Sequence, residues 1–129
     1  MKFGYVRSNV NDNQDKDKQI KTLSEYDLEK IFIDECSAND EKPQLKELIK
    51  LVNEGDEVYT NDISRFGRNT IAIVGIVEDL NKRKVSIKTL KEGLDTSTPI
   101  GRAMFSTLGS MLELANDEEV NARIEKNMK

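Results

Sequence analysis

The chain of 129 residues has no histidine and no tryptophan, and only one cysteine and two prolines. Without imidazole there is no Ser-His-Asp triad, no Cys-His pair and no histidine-ligated metal site. The lone thiol, Cys36, neither closes an internal disulfide nor builds a thiolate zinc site, which agrees with a reducing compartment. Its plain reading is a half-buried residue at a strand end. No apolar run is long enough to span a bilayer, and MKFGYV enters a strand pattern without a leader-peptide signature. The expected location is the cytoplasm, and the expected metal and cofactor content is none. Chemistry is left to Ser, Thr, Lys, Arg and carboxylates.

What is present is ordinary for a folded domain. Apolar residues make up 36% and charged residues 34%, with a formal net charge of −4. The length suits one core and is short for two. The hydrophobic period alternates between strand-like and helix-like. Residues Lys2 to Arg7, Glu29 to Asp34, Glu57 to Thr60 and Val85 to Leu90 read as strands. Between them, Gln14 to Tyr26, a segment opened by Pro43 with Leu45, Leu48, Ile49 and Val52 on one face, and Asn69 to Arg83 read as helices. This order predicts an α/β fold, a mainly parallel sheet of about four to five strands with helices on both faces. From Pro99 to about Lys126 a long C-terminal helix is expected, with Met104, Leu108, Met111, Leu112 and Ala115 on one side. The expected organisation is an α/β core over 1–98 and this helix over 99–129. Either the apolar stripe packs on a second subunit, or the helix folds back on its own sheet.

Ligands of such sheets bind outside the carboxyl ends of the strands. Arg7 and Ser8 end the first strand, Cys36 and Ser37 follow the second, and Ser64, Arg65 and Arg68 follow the third. Arg65 and Arg68, flanking Gly67 at the expected start of a helix, suit a phosphate. The competing reading is that these arginines pair with the plentiful surface carboxylates.

Several blocks resemble the catalytic domain of the serine recombinases, the resolvases and DNA invertases. They are GYVRS, Gln14 and Gln19, LEKIFIDE, the segment Ser37 to Pro43, EGDEVYTNDISRFGRNT and GLDTSTPIGRAMF, spread from about Phe3 to Leu114. The resemblance implies attack of a serine hydroxyl on a DNA phosphodiester, a 5′-phosphoseryl intermediate, and no need for a metal or a nucleotide. It also implies DNA as partner, with homodimers that form tetramers in the active synaptic complex. Arg7, Arg65 and Arg68 match the family's arginines. Lys42 stands where another arginine is usual, keeping the charge and losing the planar two-point grip. Gln14, Ser64, Arg102 and Arg123 are carried over as DNA-contacting positions, with aspartate the frequent residue at Ser64.

The nucleophile position departs from this pattern. Where the family has Tyr-x-Arg-x-Ser, this chain has Asn9, and the segment between Arg7 and Gln14 is one residue longer. Ser8 is the only hydroxyl between Tyr5 and Gln14. It joins Arg7 only if the strand ends or bulges there, because neighbouring strand residues face opposite ways. Two readings therefore stand, Ser8 as nucleophile or a fold that has lost catalysis and serves as a dimerisation or regulatory module. A third, a flavodoxin-like phosphoacceptor or nucleotide-binding domain, is disfavoured because no Walker or Rossmann glycine pattern occurs. The acidic stretch ANDEEVNA, the negative net charge and the lack of room for a helix-turn-helix after the last helix argue that DNA recognition comes mostly from elsewhere. The target site, and the choice among inversion, resolution, transposition and integration, are not readable from this segment.

Overall fold

The structure is a computed structural model, and it describes residues 1–36, 42–66 and 70–107. Five strands form one sheet, β1 (Lys2–Asn9), β2 (Lys30–Cys36), β3 (Glu57–Thr60), β4 (Ser86–Thr89) and β5 (Leu94–Asp95), in the order β2-β1-β3-β4-β5. The first four pair in parallel, and β5 returns antiparallel to β4. The parallel majority follows from the strand-helix alternation of the sequence. Helices α1 (Asn13–Leu23), α2 (Pro43–Leu51) and α3 (Thr70–Lys82) connect these strands.

Alternation along β1 divides the interior into two layers. Phe3 and Tyr5 join Leu45 and Leu48 of α2 and Val77 and Leu80 of α3 in the larger apolar cluster. Val6 faces the other way, into a smaller cluster with Leu23 of α1 and Tyr59 of β3. Each fully buried Leu or Val contributes about 1.5–3 kcal/mol over its exposed state. The α2 and α3 face therefore carries most of the apolar stabilisation. The α1 face has fewer apolar anchors and has Gln19 as a buried polar residue of α1.

Local signals explain the helix ends. Asp12 caps α1 by accepting the Asp15 amide at 3.1 Å. Asn11, at φ 71°, turns the chain between β1 and α1, and the Asp12 amide closes that turn on the Asn9 carbonyl. The extra residue ahead of Gln14 thus falls next to a turn. The strand itself stays regular, and its register with β2 continues through Arg7↔Asp34, Ser8↔Glu35 and Asn9↔Cys36. Pro43 opens α2 at its first turn, as its sequence position suggests.

One local expectation is corrected. Arg65 does not stand at the start of the third helix, because Ile63–Phe66 forms a separate 3₁₀ turn and α3 begins at Thr70. Phe66, buried and stacked on Tyr5 with ring centroids 6.0 Å apart, pins that turn to the sheet. Residues 99–107 are helical, as expected for the start of the C-terminal helix. Its remainder, with Arg123, lies outside the described residues, as do Ser37 and Arg68.

Candidate functional site

The carboxyl ends of β1, β2 and β3 lie side by side on one rim of the sheet. After β3 the 3₁₀ turn folds back over this rim and carries Arg65 to β1. The guanidinium donates through Nη1 to the Arg7 carbonyl at 3.0 Å, although the two residues are 58 positions apart in the chain. Its Nε donates to Asp62 Oδ2 at 3.2 Å, and Nη1 also lies 3.5 Å from Asp15 Oδ2. The arginine is thereby aimed at the end of β1.

From the other side, α1 turns Gln19 onto the same point. Gln19 Nε2 donates to the Arg7 carbonyl at 2.9 Å and to Asp15 Oδ2 at 2.8 Å. Gln19 is 1% exposed, whereas Gln14 is exposed in the first turn of the same helix. The pair Gln14 and Gln19 was visible as a spacing. That Gln19 is the one contacting the rim follows from the orientation of α1, which the spacing did not give.

Ser8 is 3% exposed and lies on the α1 face with Val6, while the intervening Arg7 belongs to the opposite parity. The strand neither ends nor bulges at Ser8, so the condition for it to join the Arg7 side chain is not met in this conformation. Ser8 Oγ has no hydrogen-bond partner among the described residues, and neither has Gln19 Oε1. Arg7 is half-buried and is itself engaged in an interaction.

Lys42 forms the N-cap position of α2 and offers no side-chain cap of its own. Asp34 caps the helix instead. Its carboxylate accepts the Gln44 and Leu45 amides at 2.9 and 3.0 Å and the Tyr5 hydroxyl at 2.8 Å. Through this network β1 and β2 fix the start of α2, and with it the backbone of Lys42. Asp34 was read from the sequence only as the end of a strand, because a cap supplied from ten residues upstream leaves no local signature.

The remaining predicted positions lie farther along the chain. Ser64 sits in the 3₁₀ turn next to Arg65. Arg102 is exposed on the helical stretch 99–107 and donates to the Thr96 carbonyl at 3.3 Å. The start of that stretch is tightly set. Thr98 Oγ1 accepts the Gly101 amide at 2.9 Å, and Gly101 packs so closely on the Asp95 carbonyl that a Cβ there would collide with it. Among the described residues no cluster of His, Cys, Asp and Glu could hold a metal ion, and no helix is long and apolar enough to cross a membrane.

Between α1, the start of the 3₁₀ turn and the end of β4 runs a groove of about 420 Å³. Asp15, Lys18, Gln19, Asp62, Arg65 and Lys91 contribute to its walls. The groove is strongly charged, and Arg65 forms part of its wall.

Comparison with known proteins gives one consistent family. The family model described as "Resolvase, N terminal domain" matches residues 2–129. The transposon Tn917 resolvase of Enterococcus faecalis is 34% identical over 118 residues, covering 91% of this chain and 64% of that protein. The DNA-invertase of Escherichia phage P1 is 33% identical over the same length, covering 91% and 63%. The protein named serine recombinase gin of Escherichia phage Mu is 32% identical, covering 91% and 61%. This chain thus spans less than two thirds of each of these relatives. Among solved structures, the N-terminal catalytic domain of TP901-1 integrase superposes with a TM-score of 0.74 at 22% identity, over 92% of this chain and 99% of that one. A resolvase family site-specific recombinase from Streptococcus pneumoniae gives a TM-score of 0.67 at 15% identity, over 100% of both chains. At these identities the structural likeness speaks for the fold.

Proposed function

Because this chain belongs to the resolvase N-terminal domain family, we propose that it is the catalytic domain of a site-specific DNA recombinase that cuts and rejoins DNA through a 5′-phosphoserine intermediate. The observation that carries this reading is the convergence of Arg65 on the Arg7 carbonyl at 3.0 Å, which gathers two arginine-bearing segments on one rim. Family membership also displaces the phosphoacceptor alternative.

In the proposed reaction Ser8 Oγ forms a bond to the scissile phosphorus as the bond from phosphorus to the 3′ oxygen breaks. The serine proton leaves with the 3′-hydroxyl, and reversal by a second 3′-hydroxyl restores the serine. The phosphoseryl ester retains the bond energy, so the exchange needs no nucleotide. Arg7, Arg65, Arg68 and Lys42 are assigned to the charge that develops on the phosphoryl oxygens. One pre-placed donor in comparable sites contributes about 3–4 kcal/mol to the transition state. Gln14, Ser64, Arg102 and Arg123 are assigned to contacts with the flanking DNA. Homodimers through the helix that starts at Pro99, and tetramers across two DNA sites, complete the proposed cytoplasmic assembly. Exposed Ile100 and Met104, one turn apart on that helix, support a partner on this side.

A second reading is favoured by Ser8 itself. Its hydroxyl is buried on the face opposite Arg7, and Asn9 stands where the family pattern puts serine. Catalysis by Ser8 therefore requires the end of β1 to open, and a chain that never opens there serves assembly or regulation instead. Intact-mass analysis of this domain fused to a DNA-binding domain, incubated with nicked site DNA, separates the two. Wild type is expected to form a covalent DNA adduct, and Ser8→Ala and Arg65→Ala are expected to form none. Absence of any adduct under conditions where a related active domain reacts rejects the enzyme reading, and an adduct that survives Ser8→Ala rejects Ser8.

A further inference from the structure

We propose that Asp15 is a resting-state stand-in for the DNA phosphate, an internal carboxylate that occupies Arg65 and must be displaced before the site can bind an anion. The proposal rests on the recombinase reading for its biological meaning and adds a regulatory contact to that site.

Among the described residues Arg65 meets three oxygens of unequal character. The Arg7 carbonyl at 3.0 Å is main chain and fixed by the sheet. Asp62 is three residues away in sequence, contacts Nε at 3.2 Å, and travels with the same turn. Asp15 is different. It comes from α1, 50 positions distant, and its oxygen stands at 3.5 Å, the longest of the three contacts. An ion pair of this length between partly exposed groups, 23% and 31%, is worth little and is readily exchanged. A phosphate oxygen offers the same charge in a form suited to two parallel guanidinium bonds.

The surroundings allow the exchange. Asp15 lies on the wall of the charged groove, so an incoming anion reaches Arg65 from that side, past Lys18 and Lys91. Gln19 Nε2 bonds both Asp15 and the Arg7 carbonyl. When the carboxylate swings out, Gln19 and Arg65 still hold the end of β1 through that carbonyl. The buried Gln19 Oε1, which has no partner among the described residues, marks a polar position beside the groove that the resting arrangement leaves unsatisfied. Of these three contacts, Asp15 is the one that can leave without dismantling the rim.

The test uses the full chain and inorganic phosphate at low ionic strength, with affinity read by calorimetric titration for every variant and, where Arg65 is present, the site followed through the Arg65 Nε–H resonance. Asp15→Asn keeps the side-chain shape and an acceptor for Gln19 while removing the charge. Asp17→Asn, an exposed neighbour on the same helix, controls for the change in net charge. We expect Asp15→Asn to bind phosphate about fivefold more tightly than wild type, the size set by removing one like charge at short range in a solvated site. Arg65→Ala should cancel that gain, and Asp17→Asn should change affinity little. Equal affinities for Asp15→Asn and Asp17→Asn overturn the proposal, as does an Arg65 resonance that no phosphate concentration moves in Asp15→Asn. Phosphate binding asks nothing of the serine, so a tighter Asp15→Asn that forms no DNA adduct leaves this contact standing and rejects the recombinase chemistry alone.

Discussion

On the α2 side of the sheet, Tyr5 donates its hydroxyl to Asp34, whose two oxygens also accept the first free amides of α2, at distances of 2.8 to 3.0 Å. On the α1 side, one short step along the same strand, Ser8 and Gln19 bury polar atoms that have no partner among the described residues. The two environments are alike in depth, with Asp34 and Ser8 each 3% exposed. They differ in satisfaction. An unpaired buried hydroxyl or amide oxygen costs about 1–3 kcal/mol, so it persists where something other than stability retains it. The Asp34 network on the α2 face thus anchors the rim, and the Ser8 and Gln19 pair on the α1 face is where the proposed chemistry would act.

The largest loss of stability is expected at Asp34. Asp34→Ala strips the cap from α2 and leaves the Tyr5 hydroxyl buried without an acceptor, and a loss of about 3–4 kcal/mol is expected in urea denaturation. Tyr5→Phe removes one of the three donors and is expected to cost about 1 kcal/mol. A cost below 1 kcal/mol for Asp34→Ala would mean that solvent or another group replaces the carboxylate, and the α2 face would lose its standing as the anchor.

Much of this division was legible in the sequence, and the illegible part has a physical pattern. Strand-helix alternation gave the parallel sheet, Pro43 gave the start of α2, and of the two arginines flanking Gly67 the one described, Arg65, lies at the rim. The alternation of side chains also identified the problem at Ser8, whose resolution depended on whether β1 stays regular past Arg7. What could not be read were contacts between distant segments. Asp34 looked like one more strand residue, Asp15 like one more solvated charge, and Gln19 like the less interesting of two glutamines. Their roles appear only when α1 and the 3₁₀ turn meet β1. The two-residue β5 is too short to show a period at all.

A second carboxylate, at the opposite end of the strands, sharpens the contrast with Asp34. Asp56 accepts the amino terminus at 2.8 Å through Oδ1 and the Asn53 amide at 2.8 Å through Oδ2. The hydrogen bond from the amino terminus holds its pKa below the ordinary 3.8, against the opposing effect of burial, with the Asn53 amide adding to the lowering. For a carboxylate whose folded pKa is depressed, the stabilisation is present above the ordinary value and disappears as the pH falls through the lowered one. Asp56→Asn is expected to cost on the order of 1 kcal/mol at neutral pH. It should also flatten the decline in stability below pH 3.8, a change read from urea melts along an acid series. An unchanged acid profile would show that the contact with the amino terminus is too exchangeable to stabilise the fold, unlike the buried cap at Asp34.

The smallest effect has the opposite sign, and it bears most directly on function. Ser8→Ala removes a hydroxyl that is buried yet unpaired among the described residues, so the folded state is expected to lose no hydrogen bond and to shed a desolvation cost. Stability should rise by about 0.5–1 kcal/mol, with an unchanged denaturant slope. A core serine kept for packing alone has no reason to bear that cost, whereas a nucleophile that must leave its buried position to react is held back by little when nothing bonds it there. Destabilisation by 1 kcal/mol or more would mean that Oγ is hydrogen-bonded in solution, and Ser8 would then be as well satisfied as Asp34. A stabilised Ser8→Ala that also loses the DNA adduct would tie the unsatisfied hydroxyl to the reaction. If instead the variant is stabilised and the wild type forms no adduct, the buried serine records a chemistry that this fold no longer performs.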